Sequence, residues 1–338
     1  MNKLNVSLMA IDYVEPDEFI SSDFIEKDLA EIYDRLKLPY GRIEMQTGIK
    51  TRGIYKQKKP SDISIHAAKK LFDNNEVKPS EIDLLIHASV CRDFLEPSTA
   101  SVVHHGLGLR ADCQSFDLSN ACLGVVSAIT VAASMINSKA IKTAMIVTGE
   151  NSWPLLEQTL KTIKLDGSIT RKSIKKYFAN FTIGSAGVAL VLGAADLNKP
   201  IFGHIKSLSD TESYTLCQGD GSTESLVMET NSELLMQKGV TLAKKNWQDL
   251  KLLSQCQYDH YICHQVGIHH QEFLYKSLEL DISKDHSTFK KYGNTGSAAL
   301  PLTLAIASSE NKFAKNDQIA LLGIGSGLHT IMMELLWN

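Results

Sequence analysis

Four residues combine a reactive type with a turn that follows an apolar run. Cys122 lies in "FDLSNACLGVVSAITVAASMI" (116–136), ahead of a long stretch of small and apolar side chains. A thiol attacks as its thiolate, and a helix N-terminus with cationic or hydrogen-bonding neighbours lowers the thiol pKa from its usual value of about 8.5. Asn120 and Gly124 suit a turn that opens a helix, which sets Cys122 at the positive end, and Gly124 leaves room for an acyl group or a neighbouring backbone. An inert buried thiol among Ala and Val fits the same segment. His264 follows "YDHYIC" at a strand exit, where sites are often built; a packed or capping histidine is the plainer reading. Asn294, in "KYGNTGSAALP", is either a turn residue or an amide donor facing Cys122. In "GIGSGL" (323–328), the glycines around Ser326 let backbone N–H groups converge on a developing oxyanion, and Gly325 is a candidate substrate-binding residue. That loop lacks the Walker lysine and the full G-x-G-x-x-G pattern of a phosphate cradle. Nucleophile, imidazole, amide and donor loop together are the parts of covalent catalysis, and the combination is more specific than any member.

The elements that must carry these residues follow from the apolar patterns. "EIDLLIHASV" (81–90), "TAMIVTGE" (143–150) and "GVALVLGAA" (187–195) read as buried strands, "SDISIHAAKKLFDNN" as a helix with a Ser-Asp cap, and the segment after Cys122 as about four helical turns. The second half repeats the grammar. It has the helix "ELLMQKGVTLAKKNWQDLK", the strand "YDHYICHQV" (258–266), a glycine turn opening the helix of "YGNTGSAALPLTLAIASSE", and the strand "QIALLGIGSGLHT" (318–330). Strand, Cys122 turn-helix, strand therefore matches strand, Asn294 turn-helix, strand. The order predicts an α/β fold of two duplicated halves, residues 1–199 and 200–338. An insertion at 155–184, with Lys161, Lys164, Arg171, Lys172, Lys175 and Lys176, has no counterpart in the other half. It reads as a solvated, partly helical excursion, or as a cap that meets an anionic carrier.

The totals narrow the function classes. At 338 residues, 43% hydrophobic and 22% charged, the chain has ample material for a large core, and a net charge of −3 gives no sign of a nucleic-acid partner. Six cysteines without a C-x-x-C pair argue against a zinc site or a disulfide framework, and "HQVGIHH" has no acidic or cysteine ligand at metal spacing. Reduced thiols, a short apolar run before Asp12 and no membrane-length segment predict a soluble cytoplasmic protein.

On "TGIKTR" (47–52), "SNACLG" (119–124), "CHQVG" (263–267), "YGNTGSAALP" (292–301) and "GIGSGL" (323–328), the chain resembles the thiolase superfamily of condensing enzymes, in its ketoacyl synthase III branch. The resemblance covers essentially the whole chain and implies a five-layered αβαβα fold, usually a homodimer, acting as an acyltransferase of lipid metabolism. It implies that Cys122 is acylated, that His264 and Asn294 act on the incoming thioester, and that the backbone N–H groups of Cys122 and Ser326 form the oxyanion hole. A narrower likeness, in "ASVCRDFLEPSTAS" (88–101), is to the OleA-type branch, in which a glutamate reaches across the dimer into the partner's site; here that residue is Glu96. A loop carboxylate capping the next segment is the plainer reading of Glu96, and Pro97 favours a loop under both. The Trp and Arg that flank the CoA adenine in ketoacyl synthase III have no counterpart in "YGRIEMQTGI", where Arg42 and Gln46 stand. Arg42 could pair a phosphate or stack by its guanidinium plane.

The expected reaction is ping-pong Claisen condensation of fatty acyl thioesters carried on CoA or an acyl carrier protein, with no cofactor and no metal. A malonyl thioester would make its carbanion by losing CO2. An ordinary acyl-CoA needs a base, for which Glu96 in a dry tunnel is suited. Glu96 favours the non-decarboxylative version. A non-catalytic subunit of a heterodimer would have no need of nucleophile, His and Asn together.

Overall fold

The computed structural model describes residues 3–74, 76–220 and 226–338. Among them, nine strands join in one sheet: β1 (Lys3–Val14), β2 (Leu84–His87), β3 (Gln114–Asp117), β4 (Ala144–Glu150), β5 (Ala186–Ala194), β6 (Ile201–Ser209), β7 (His260–Cys263), β8 (Gln318–Gly325) and β9 (His329–Leu336). Their order is β7-β8-β9-β6-β1-β5-β4-β2-β3. On one side β2 and β4 are parallel, and β4, β5 and β1 alternate in direction. On the other side β7 and β8 are parallel, and β8, β9 and β6 alternate in the same way. The antiparallel contact of β1 with β6 joins the two sides.

Strand alternation sorts the apolar residues into separate cores. Leu84, Ile86, Ala144, Ile146, Ile319 and Leu321 face a central core that also takes Val125, Ile129 and Ala132 of helix α3 (Gly124–Asn137) and Leu300 and Leu304 of helix α7 (Ala299–Ser309). Leu85, Met145 and Val147 face an outer core with helices α1 (Pro60–Asp73) and α2 (Thr99–Leu107). Ala320 and Leu322 face another outer core, with α5 (Ser232–Ser254) and α6 (Ile268–Leu278). The two sides of the one sheet thus make two layers around α3 and α7, giving helix, sheet, helix, sheet, helix, as expected. The start of α1 differs from the sequence reading. Pro60 opens the helix with Lys59 at the N-cap, and of the Ser-Asp pair only Asp62 caps, its carboxylate accepting the Lys59 N–H (2.9 Å).

The segment 155–184 is not a solvated excursion. Helix α4 (Trp153–Leu165) and the turns that follow bury Leu156, Leu160, Ile163, Ile174 and Phe181 against Ile25, Leu29, Ile32 and Ile43. Its apolar positions recur at helical spacing beneath the lysines, which is how a charged segment can still carry a core. Among the described residues no helix is long and apolar enough to cross a membrane.

Candidate active site

Cys122 stands on an elbow between β3 and α3. The Leu123 N–H donates to the Asn120 carbonyl (2.9 Å), and the Gly124 N–H to that of Ala121 (3.2 Å). Ala121 adopts a left-handed backbone (φ 45°), a conformation costly to a side-chain-bearing residue, so the elbow is held under strain. The Asn120 amide donates to Ser127 Oγ on the first turns of α3 (2.9 Å), fixing the elbow to the helix it opens.

The second half closes on this elbow at two places. A Cβ on Gly325, the last residue of β8, would lie 2.9 Å from Leu123 Cγ and 3.6 Å from the Asn120 carbonyl oxygen. The turn carrying Ser326 therefore abuts the Cys122 loop, and glycine is what permits the approach. A Cβ on Gly124 would lie 3.3 Å from Ser297 Cβ, which brings the turn after Asn294 against the first residue of α3. His264 leaves the end of β7, and its N–H donates to Leu322 in β8 (2.9 Å). The strand predicted over 258–266 stops at Cys263. Gln265 turns inward and its side chain binds Thr303 Oγ1 (2.8 Å), Thr288 N (2.7 Å) and Phe289 N (3.0 Å). Gln265 thereby ties the His264 turn to the segment leading into Asn294.

Asn294 is partly exposed and bridged to the end of the 155–184 segment. Its N–H donates to the Thr182 carbonyl and its own carbonyl accepts the Gly184 N–H, both at 2.8 Å. Its Oδ1 accepts the Gly296 N–H (3.1 Å), which leaves the Nδ2 hydrogens as the free donors of the side chain. The structure thus packs the Gly325–Ser326 turn and the turn after Asn294 against the Cys122 loop and α3, and ties His264 to β8 and, through Gln265, to the segment leading into Asn294.

Electrostatics differ from the sequence reading of Cys122. Burial, the Glu150 carboxylate and Cys217, in that order, push its thiol up to about 12. A helix terminus contributes about 0.3–1 kcal/mol, too little to offset a rise of that size, so the resting sulfur is a thiol. His264 is 8% exposed and burial, helped by His270, pushes it down to about 3, so its imidazole is neutral and has one N–H to donate. The His270 ring stands edge-on to it, centroids 5.8 Å apart.

Glu96 lies on an exposed loop beside Phe94 and Leu95, the latter 91% exposed, and makes no hydrogen bond or ion pair among the described residues. The Arg42 guanidinium covers the Phe178 ring at 5.5 Å, an interaction within its own chain. Among the described residues no three His, Cys, Asp or Glu side chains are grouped to hold a metal. Sequence reasoning missed Glu150, Gln265 and Ser297. The only signal for them was that each sits one to three residues from a turn already singled out, or ends a strand that does.

A strained cysteine elbow at the head of a buried helix, with a glycine turn and the turn after Asn294 packed on it and a buried neutral histidine at the end of the strand beside that glycine turn, fits a condensing enzyme of thiolase fold. The C-terminal region (251–337) matches the family described as 3-oxoacyl-[acyl-carrier-protein] synthase III C terminal, and residues 33–155 match FAE1/type III polyketide synthase-like protein. The acyl-CoA:acyl-CoA alkyltransferase of Xanthomonas campestris is 32% identical, over 98% of this chain and 99% of its own. That of Shewanella oneidensis is also 32% identical, over 94% and 95%. Xanthomonas OleA bound to cerulenin superposes with a TM-score of 0.94 at 33% identity, covering 100% of this chain and 98% of its own. A cysteine-to-serine OleA variant with lauric acid and lauroyl-CoA bound gives 0.93 at 33% identity, over 98% and 99%. OleA has also been solved with substitutions at a glutamate and at a histidine. The chain belongs to the OleA-type acyl-CoA:acyl-CoA alkyltransferase family.

Proposed function

We propose that this protein joins two fatty acyl-CoA molecules by non-decarboxylative Claisen condensation through an acyl group on Cys122. The observation that carries this reading is a matter of spacing. Glu96 and Cys122 are 26 residues apart, and Cys122 and His264 are 142 apart. The glutamate, cysteine and histidine substituted in the OleA structures stand at the same intervals.

The Cys122 sulfur attacks the first acyl-CoA, the N–H groups of Cys122 and Ser326 hold the tetrahedral oxyanion, and CoA leaves with the thiol proton. In this reading Arg42 and Gly325 contact the incoming thioester. The second acyl-CoA lies with its carbonyl oxygen against the His264 N–H and the Asn294 Nδ2, which take up enolate charge as an α-proton departs. Glu96 of a partner subunit accepts that proton. Its exposed, unpartnered position beside Phe94 and Leu95 suits a loop that a second copy covers. The α-carbon then bonds to the Cys122 thioester carbon, the sulfur leaves and is reprotonated, and a β-ketoacyl-CoA forms, which hydrolysis converts to a β-keto acid. The working unit is a cytoplasmic homodimer of lipid biosynthesis. It needs no cofactor, and residues 1–199 and 200–338 are its duplicated halves, a division supported by the repeated strand order.

Purified protein given myristoyl-CoA alone should release CoA and a two-chain β-keto product, measured by mass spectrometry. Product that forms only after a malonyl thioester is added would favour the decarboxylative reaction. Glu96→Gln should still acylate Cys122 but not condense; equal loss of both steps would make Glu96 structural.

A further inference from the structure

Glu150 ends β4 and is 4% exposed. A buried carboxylate is costly unless donors surround it, and here no Lys, Arg or His forms an ion pair with it among the described residues. Four polar hydrogens compensate it instead. Oε1 accepts from Val90 N (2.8 Å), Ser297 N (3.2 Å) and Ser297 Oγ (2.6 Å), and Oε2 accepts from Cys91 N (3.2 Å). Ser297 Oγ also lies 2.8 Å from the Ala88 carbonyl oxygen and 3.0 Å from Thr148 Oγ1. This polar knot runs on through Thr148 Oγ1 to Ser89 Oγ (2.9 Å).

The knot holds both reacting loops. Gly296 is pressed so closely on the carboxylate that a Cβ there would lie 3.2 Å from Oε1, and Gly296 is the residue whose N–H binds Asn294 Oδ1. Ser297 in turn borders Gly124, two residues after the nucleophile. Hydrogen bonds to a charged group are the strong ones, so moving or neutralising this acceptor alters the turn that aims Asn294 Nδ2. We propose that Glu150 is a positioning residue for the condensation step, clamping the Asn294 turn against the Cys122 helix through Ser297 and Gly296. The carboxylate also acts on the Cys122 thiol, as it does on Cys91 and His87, which gives a second, independent readout of its place.

This inference rests on the reaction proposed above, and its test keeps the two apart. Glu150→Gln and Ser297→Ala should be folded, by thermal unfolding; Ser297→Ala, which keeps the charge, should acylate Cys122 from lauroyl-CoA within about threefold of wild type, and Glu150→Gln, which removes it, should acylate no more slowly than wild type. Condensation should fall about 10- to 100-fold, the range set by one charge-assisted hydrogen bond. Without any substrate, iodoacetamide alkylation of Cys122 should move to lower pH in Glu150→Gln, where the charge is gone, and stay in place in Ser297→Ala, where it remains. Glu150→Asp should recover part of the condensation rate. Acylation and condensation falling in equal proportion, or an unmoved alkylation profile in Glu150→Gln, would overturn the proposal. If wild type forms no product from acyl-CoA alone, the reaction is wrong, while the alkylation arm still tests Glu150.

Discussion

The raised thiol pKa of Cys122 makes a sharp prediction about pH. At about 12, the thiolate fraction at pH 7.5 is about 3 in 100,000, against about one in ten for an ordinary thiol. The rise from 9.0 to about 12 corresponds to about 4 kcal/mol against ionising. Burial is its largest cause and the Glu150 carboxylate the next. The group's neutral form persists through the whole working range, so the alkylation rate should climb about tenfold per pH unit from pH 7 to 9.5 without levelling off. The assay is iodoacetamide labelling with peptide mapping, needed because Cys91, Cys217 and Cys256 are also partly exposed. A plateau with its midpoint below pH 9 would mean that the thiolate is preformed and would refute the electrostatic account. The same account requires that acylation by substrate couple sulfur attack to proton loss, the proton leaving with CoA.

Three further outcomes follow from the packing. Gly184→Ala drives a Cβ into the Tyr292 carbonyl beside the bond from Gly184 N–H to Asn294, so it should cost about 1–3 kcal/mol and suppress condensation; wild-type melting and activity would contradict this. Gln265→Leu leaves the Thr288 and Phe289 N–H groups without their acceptor, and should lower stability by about 1–3 kcal/mol and condensation more than acylation, read by single-turnover kinetics. His264 and His270 are pushed down to about 3 and about 4, below the roughly 6.5 of an unfolded chain, so the unfolded state binds the extra protons. Their contribution is fully present above about pH 6.5 and is lost as pH falls towards 4 and 3, at about 1.4 kcal/mol per unit for each histidine. His270→Phe should halve that part of the slope in urea unfolding between pH 6.5 and 4.5, and an unchanged slope would contradict it.

The catalytic types were legible because each follows an apolar run and sits in a turn: the elbow at Cys122, the strand exit at His264, the glycine turn at Asn294. Their environment was not. Glu150 reads as an ordinary strand end, and its partner Ser297 is 147 residues away. The rise of the thiol pKa was hidden as well, since burial, its largest cause, depends on packing and the carboxylate that adds to it arrives from another strand. Four strands of the sheet also escaped the sequence, among them β3, which is four residues long with none of them buried. β1 has a register shift between Leu8 and Ala10, which sends Leu4, Val6 and Leu8 to the central core and Ala10 and Val14 to the outer one, breaking the period of two. β6 carries Gly203, His204 and Lys206, and β9 hides Glu334 by pairing it with Tyr258 (2.7 Å) and His204 (2.9 Å). Such residues look like loop until their distant partners are in place.

A chase experiment tests the acyl-cysteine route most directly. Protein loaded with lauroyl-CoA, freed of excess and then given myristoyl-CoA should lose the lauroyl mass from Cys122 and yield a mixed-length β-keto product, its ketone carbon coming from the lauroyl group. Release of the loaded chain only as free lauric acid, with any condensed product built from myristoyl groups alone, would contradict the account.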